Sequence, residues 1–591
     1  MSEYAAPLPE MRFVLDEIAG LPEIAALPGC EGASADTVDA VLEEAAKFAG
    51  KVLSPLNRSG DIEKSRLENG VVRSPKGFKE AYQGFAEGGW AGLAAPPEHG
   101  GQGLPAALAT AVFEMWNAAN LSFSLCPMLS IGAIELLALQ GNAEQKQIYL
   151  PKLVSGEWTG TMNLTEPQAG SDLGALRTRA VKEGDHYRIT GQKIFITWGE
   201  HDMAANIVHL VLARLPDAPP GSKGISLFLV PKFLPKEDGS PGPRNDLRCL
   251  RLEDKLGIHA SPTCVMSYGD NGGALGYLVG AENRGLEGMF IMMNNARLHV
   301  GLEGVAIAER ATQRARAYAR ERIQGRPVTA KDGEKAPILH HPDVRRMLLS
   351  MRSATEASRA LTYYAAGQAD RARHHPDAAK REAALVRLDL LVPVVKAWST
   401  DLGVEVASTG IQVHGGAGFI EESGAAQYLR DARIAPIYEG TNGIQAIDLV
   451  GRKLMRDRGA AAAALAADMR QTLKRLGGDK EIAAPLAQGV DALEKAESWL
   501  IETYAQDPGR ALAGAEPYLR LLGTVAGGWL LAEGALAAAR RLKANEGDAG
   551  FLKAKIATAR FYAEHRLALA PALLPAVTGG GTVMGFALDL L

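Results

Sequence analysis

Apolar residues keep helical spacing up to about residue 158, give way to β-branched and aromatic runs, and return to helical spacing near Gly285. Few folds accommodate that double switch. In DTVDAVLEEAAKFAGKVL, residues Val38, Val41, Leu42, Ala45 and Phe48 fall on one stripe, as a helix burying one face requires. HYRITGQKIFITW, NIVHLVLARL and GISLFLVPKF are separated by Gly, Pro and Asp clusters and predict strands. No long helical pattern alternates with them, so the sheet is expected to be mostly antiparallel and not a doubly wound nucleotide fold. Helical spacing resumes in LEGVAIAERATQRARAYARERI, DVRRMLLSMRSATEASRALTYYAA and AALVRLDLLVPVVKAWSTDLGVEVAS, and Leu465, Met469, Leu473 and Leu476 carry it past Met455. The prediction is an α+β multidomain chain. It has an N-terminal helical domain over 1–158, a central antiparallel β-barrel-like domain over 159–282, a helical bundle domain over 283–455 and an additional C-terminal helical domain over 456–591.

Composition narrows the partners. A net charge of −4, with 47% apolar and 22% charged residues, describes an ordinary globular surface, with no electrostatic reason to expect nucleic acid or an anionic membrane. Cys30, Cys126, Cys249 and Cys264 are scattered without a CxxC pair, which argues against a disulfide framework or a thiolate metal site. The start MSEYAAPLPEMR has no basic segment leading into an apolar core, so no cleaved secretory signal is expected. The longest strongly apolar stretch, around Leu129 to Leu139, falls short of the roughly 20 residues a bilayer span needs, and a cytoplasmic protein with no membrane partner is expected.

Several chemistries are excluded next. The pairs His340-His341 and His374-His375 are adjacent, HExxH is absent, and neighbouring helical residues do not point at one ion, so no metal is expected. GxSxG, GxGxxG and GxxxxGK[ST] do not occur in the contexts that a serine hydrolase, a Rossmann site or a P-loop needs. Three other segments remain. Met162-Asn-Leu-Thr-Glu-Pro-Gln-Ala-Gly-Ser-Asp172 clusters hydroxyls and small residues in a turn that can face a polar cofactor edge, and equally fits a capped loop. Gln412-Val-His-Gly-Gly-Ala-Gly-Phe419 lets backbone approach a phosphate, and equally fits a glycine-rich helix end. In Ile437-Tyr-Glu-Gly-Thr-Asn-Gly-Ile-Gln445, Glu439 precedes a glycine, and Thr441 and Asn442 can cap a following helix.

Taken together, and in this order and spacing, the three segments resemble the acyl-CoA dehydrogenase family. EHGGQGLP, GQKIFITWG, DKLGIHASPT, VGAENRGLEGM and YARERIQGRP add to the resemblance, which covers about residues 36 to 455. It implies FAD held between the β domain, the second helical domain and a neighbouring subunit. Residue by residue it places Met162, Leu164, Thr165, Gly170 and Ser171 along the flavin and the acyl thioester, and Phe195, Ile196 and Thr197 behind the isoalloxazine ring. Arg322 and Gln324 match the pair that reaches the FAD pyrophosphate, although IQGR departs from the usual pattern at Gln324. Gln412, Val413, Gly415 and Gly416 match the grip on adenosine across a homodimer, and Thr441 and Asn442 match contacts beside the base. Ser171, Asn294, Arg297 and Gly440 match substrate-binding positions.

The resemblance makes Glu439 the base of an α,β-desaturation, in which an α-proton leaves to a carboxylate and a β-hydride to flavin N5. Burial beside an acyl chain raises a carboxyl from about 4.3 toward the working pH. Relatives that place the base immediately before the arginine of the bundle helix have a carboxylate where this chain has Ala296, so Glu439 remains. The long tail resembles the extended subgroup that contains 3-methylmercaptopropionyl-CoA dehydrogenase as well as larger, longer-chain enzymes, and with it a homodimer is expected. The family resemblance implies an electron-transfer flavoprotein as the acceptor, with acyl-chain length left open. Two rivals share the resemblance: an acyl-CoA oxidase, and a DNA-associated damage-response protein. The second is suggested by Arg310, Arg314, Arg316, Arg320 and Arg322 and opposed by the net charge.

Overall fold

The computed structural model describes residues 4–328 and 335–590. The chain divides into two compact units, one of Met1–Glu43, Pro105–Ala118 and Arg297–Leu591, the other of Glu44–Leu104 and Ala119–Ala296.

An eight-stranded sheet forms the centre of the second unit: β1 (Trp158–Asn163), β2 (Arg179–Glu183), β3 (His186–Thr197), β4 (Asn206–Arg214), β5 (Ile225–Pro231), β6 (Leu247–Leu252), β7 (Thr263–Tyr268) and β8 (Ala274–Leu278). The strand order is β6-β7-β3-β8-β5-β4-β1, and β2 pairs with both β3 and β4. Strands β3, β8, β5, β4 and β2 therefore close into a ring, and β6 and β1 remain at the ends of the sheet. All pairings are antiparallel except β1 with β4 and the single contact of β2 with β4 at Arg179 and Arg214. The ring is filled by Ala180, Tyr187, Ile189, Val211, Phe228 and Val230, alternate residues of their strands, so the expectation of an antiparallel, barrel-like domain holds.

Helix α1 (Leu121–Gln140) lies in the same unit, capped by Asn120, whose side chain accepts from the Phe123 N–H at 3.1 Å. It approaches β1 closely: a Cβ on Gly160 would stand 2.4 Å from that of Ala133. The expectation of a helical domain over 1–158 needs one correction. Arg66–Glu68 and Val71–Arg73 form a small hairpin, turned by Asn69 and Gly70 at φ of 51° and 78°. Asn-Gly is the sequence a two-residue turn with two positive φ angles favours.

Among the helices of the first unit are the part of α2 (Gly285–Glu321) from Arg297 onward, α3 (Pro342–His374), α4 (Ala378–His414) and the short α5 (Asn442–Asp448). Glycines let α2 and α4 touch backbone to backbone. A Cβ on Gly304 would meet the Ser399 carbonyl oxygen at 2.2 Å, and one on Gly403 would meet the Gly304 oxygen at 2.8 Å. The C-terminal helices α6 (Ala460–Leu476), α7 (Lys480–Gln506), α8 (Ala515–Ala544) and α9 (Ala549–His565) belong to this unit too. The Trp398 ring of α4 lies on Gly523 and Gly527 of α8, where a Cβ would stand 2.4 and 2.5 Å from ring atoms. Lys555 of α9 donates at 2.7 Å both to Glu10 near the N-terminus and to Glu356 of α3.

One sequence reading is corrected here. Three helical segments, Leu121–Gln140, Ala515–Ala544 and Ala549–Gly585, are long and apolar enough to cross a membrane. The estimate from Leu129 to Leu139 was short because it stopped at scattered polar residues that the helices bury. In the first two segments 83% of the apolar window is buried inside the protein, which makes them core helices here.

Candidate active site

Glu439 sits on a strained turn. Its φ is +56°, in the left-handed region that costs a non-glycine residue about 1–3 kcal/mol, and Gly440 follows at +84°. Several bonds in the same unit hold the turn. The Asn442 N–H reaches back to the Pro436 carbonyl at 3.0 Å, and the buried Gln445 donates to the Gly440 carbonyl at 3.1 Å. Thr441 caps α5 by accepting from the Ile444 N–H at 3.2 Å. The Asn442 side chain is committed to α4, accepting from Lys396 at 2.9 Å and donating to the Ala397 carbonyl at 3.1 Å and to Asp401 at 2.8 Å. Gly440 is required by space as well as by φ, since a Cβ there would meet Gln445 Nε2 at 2.8 Å.

Desolvation raises the Glu439 carboxyl above the ordinary carboxylate range, against the pull of Arg297 and Lys396. Arg297 is 6% exposed, stands 3.7 Å from Asp448, and has an Nε with no partner among the described residues. Burial lowers Lys396 to about 8, against the attraction of Glu439 and Glu303. The Glu439 N–H has no backbone acceptor among the described residues. The structure thus brings Glu439, Gly440, Thr441, Asn442 and Arg297 into one neighbourhood. Ala296 is 5% exposed beside Arg297, and supplies no acid or base.

Lys396, Glu303 and Tyr438 are functional candidates that the sequence reading did not single out. Their signal was present, since Glu303 in VGLEGVAIA and Lys396 in LLVPVVKAWST are lone charges within apolar helical runs. A charge in such a run is either paired or part of a site.

Elsewhere in the first unit, the Gln412 to Gly416 segment ends α4. Gln412, Gly415 and Gly416 are exposed, Val413 is buried, Gly415 has a φ of +61°, and no atom lies within 4 Å of a Cβ placed on Gly415 or Gly416. Arg322 and Gln324 are exposed beyond α2, with Arg322 reaching Gln324 Oε1 at 3.4 Å. Of the arginine run, Arg310 is buried over the rings of Tyr4 and Tyr428 and Arg314 donates to the Ser423 carbonyl at 3.1 Å, while Arg316, Arg320 and Arg322 are exposed.

The remaining candidates lie in the second unit. Met162 is buried on β1, Leu164 and Thr165 are half-buried, and Gly170 and Ser171 are exposed at the tip of the loop. The loop is held from within by Glu166, which accepts from Lys193 at 2.8 Å, the Arg177 N–H at 2.6 Å and the Thr178 hydroxyl at 2.6 Å. Burial alone would raise this carboxyl, but Lys193 and these donors hold it down at about 2. Phe195 is 59% exposed at a φ of +59°, a flat apolar face near the end of β3. Ile196 points into the barrel core, so its side chain packs the strand, and Thr197 is half-buried. Asn294 is exposed on α2.

Known proteins share this build. Family models for the acyl-CoA dehydrogenase N-terminal, middle and C-terminal domains match residues 35–157, 161–270 and 283–455 in that order. A model described as acetyl-CoA dehydrogenase C-terminal like matches 465–586. The chain belongs to the acyl-CoA dehydrogenase family, oxidoreductases acting on CH–CH bonds. It is 52% identical to the 3-methylmercaptopropionyl-CoA dehydrogenase of Ruegeria pomeroyi, over 95% of this chain and 96% of that one. It is 34% identical to a broad-specificity linear acyl-CoA dehydrogenase of Mycobacterium tuberculosis, over 96% of each. An acyl-CoA dehydrogenase of Bacillus anthracis complexed with FAD has the same fold, with a TM-score of 0.73 at 22% identity over 98% of this chain and 92% of that one.

Proposed function

We propose that this chain is an FAD-dependent dehydrogenase that converts an acyl-CoA to the 2,3-enoyl-CoA, with Glu439 as the base and 3-methylmercaptopropionyl-CoA as the substrate. The observation that carries the reading is the Glu439 carboxyl, held on a strained turn and raised by desolvation between two cations. The choice of substrate rests on the 52% identity to the Ruegeria enzyme.

Each unit taken by itself carries groups that suit a flavin dinucleotide, Phe195 in the second and Arg322, Gly415 and Gly416 in the first. Phe195 offers an exposed aromatic face, Arg322 a guanidinium with one long contact, and Gly415 and Gly416 a backbone with open space around it. FAD, when bound, accepts the β-hydride at N5. The rest falls to this chain. Glu439 takes the α-proton on its carboxylate as the Cα–Cβ double bond forms, and its own N–H is free to donate to the thioester oxygen as charge builds there. Arg297 and Lys396 oppose the rise that burial gives the base. The electrons leave to an electron-transfer flavoprotein, and the assembly is a cytoplasmic homodimer in which the exposed Gln412, Gly415 and Gly416 serve the neighbouring subunit.

A panel of acyl-CoAs assayed with an artificial electron acceptor tests the reading. The expected result is highest kcat/KM for 3-methylmercaptopropionyl-CoA, lower values for linear substrates such as butyryl- and octanoyl-CoA, and no substrate-dependent peroxide in air. Turnover with oxygen as the efficient acceptor would make the protein an oxidase, and no turnover with any thioester would overturn the reading.

A further inference from the structure

Tyr438, the residue before the base, donates its hydroxyl hydrogen bond to Glu303 Oε2 of α2. The Glu303 side chain is fully buried, and its other oxygen, Oε1, has no partner among the described residues. A carboxyl placed there only to fill space is outdone by an apolar side chain of the same volume, which leaves no oxygen unsatisfied. The nearby cation does not account for it either, since Lys396 Nζ bonds to Asn442 at 2.9 Å. What the arrangement does accomplish is mechanical. The α2–α4 glycine contacts set the depth of Glu303, and the Tyr438 ring ties the chain to it one residue ahead of a non-glycine φ of +56°.

We propose that Glu303 is a positioning residue for the desaturation: by holding the Tyr438 hydroxyl it keeps Glu439 in its left-handed conformation, with the carboxyl aimed at the substrate Cα. This rests on Glu439 being the base, as argued above. The groups that face Glu303 are Tyr438 and Glu439 from the loop and Lys396 from α4. Burial lifts Glu303 to about 8, so near neutral pH it is protonated and adds no second negative charge beside the base. A neutral hydrogen-bonding anchor therefore fits the site better than an ionised one.

The test compares Glu303→Leu, Glu303→Gln, Tyr438→Phe and the double variant Glu303→Leu/Tyr438→Phe, each as holoenzyme matched for bound FAD. Misplacing a catalytic group by about 1 Å costs on the order of 100-fold, so Glu303→Leu and Tyr438→Phe should each slow anaerobic flavin reduction at saturating substrate by about 10- to 100-fold. Half-saturating substrate should stay within about threefold, and the double variant should be no slower than the slower single one, since the two residues act as a unit. Glu303→Gln, whose amide oxygen still accepts from Tyr438, should reduce within about threefold of the wild type. Crystal structures of the wild type and Glu303→Leu give a readout independent of turnover: residue 439 should leave the left-handed region in the variant. Wild-type reduction rates in Tyr438→Phe, or an unmoved Glu439 in Glu303→Leu, would overturn the proposal. If Glu303→Leu fails to fold, Tyr438→Phe decides by the same two readouts. If no acyl-CoA reduces the wild type, the functional reading fails, and the crystal comparison still decides the positioning claim.

Discussion

Single residues in this protein are informative where they break the pattern around them. Glu439 was legible because it precedes a glycine and a helix-capping pair, and the resemblance supplied its role. Glu303 and Lys396 were not legible, because periodicity marks them as exceptions without saying what they face across the bundle. The same holds for Glu166, whose Lys193 partner comes from β3, 27 positions away. Lys193→Met should strand a carboxylate that is 3% exposed and cost about 3–5 kcal/mol, read as a lowered urea midpoint, with part of the loss recovered in Lys193→Met/Glu166→Leu. Glu303 also makes a pH prediction. Its folded pKa of about 8 lies above the ordinary value of 4.5, so its favourable contribution is complete below 4.5 and is lost as pH rises through 8. Between pH 6 and 9 the wild-type melting temperature should therefore fall more steeply than that of Glu303→Gln, and parallel curves would contradict the assignment.

Elements were easier to read than their partners. Helical spacing located α2, α3 and α4, and branched residues located the strands, because both patterns are local. Closure of the ring through β2 was not readable, since a five-residue strand with mixed exposure chooses two partners only once β3 and β4 are in place. The close approach of α2 and α4 had a signal in Gly301, Gly304 and Gly403, but glycines in helices carry several meanings until the facing backbone is known. Gly304→Ala would drive a methyl group against the Ser399 carbonyl, at 2.2 Å before relaxation, and should cost about 1–3 kcal/mol in thermal or chemical unfolding. It should also slow flavin reduction, because the helix that shifts carries Glu303.

At the scale of the whole chain, the extension after Met455 belongs to the fold of the first unit. Trp398 rests on α8, and Lys555 ties α9 to both the N-terminus and α3. Lys555→Met would leave Glu10 buried without its ion-pair partner and Glu356 with Arg352 alone, at a cost of about 3–5 kcal/mol, and a chain ending at Met455 should be insoluble. A soluble truncation that keeps its flavin would show the extension to be an appended domain. The central claim is that one carboxylate takes the proton while the flavin takes the hydride. Its most direct test is anaerobic mixing of 3-methylmercaptopropionyl-CoA with FAD-loaded wild type and Glu439→Gln, followed by the flavin absorbance near 450 nm. The wild type should bleach within one turnover, and the variant should bind the same FAD and thioester yet bleach at least about 1,000-fold more slowly, the range expected when a general base is removed. Bleaching of Glu439→Gln at the wild-type rate would contradict the account.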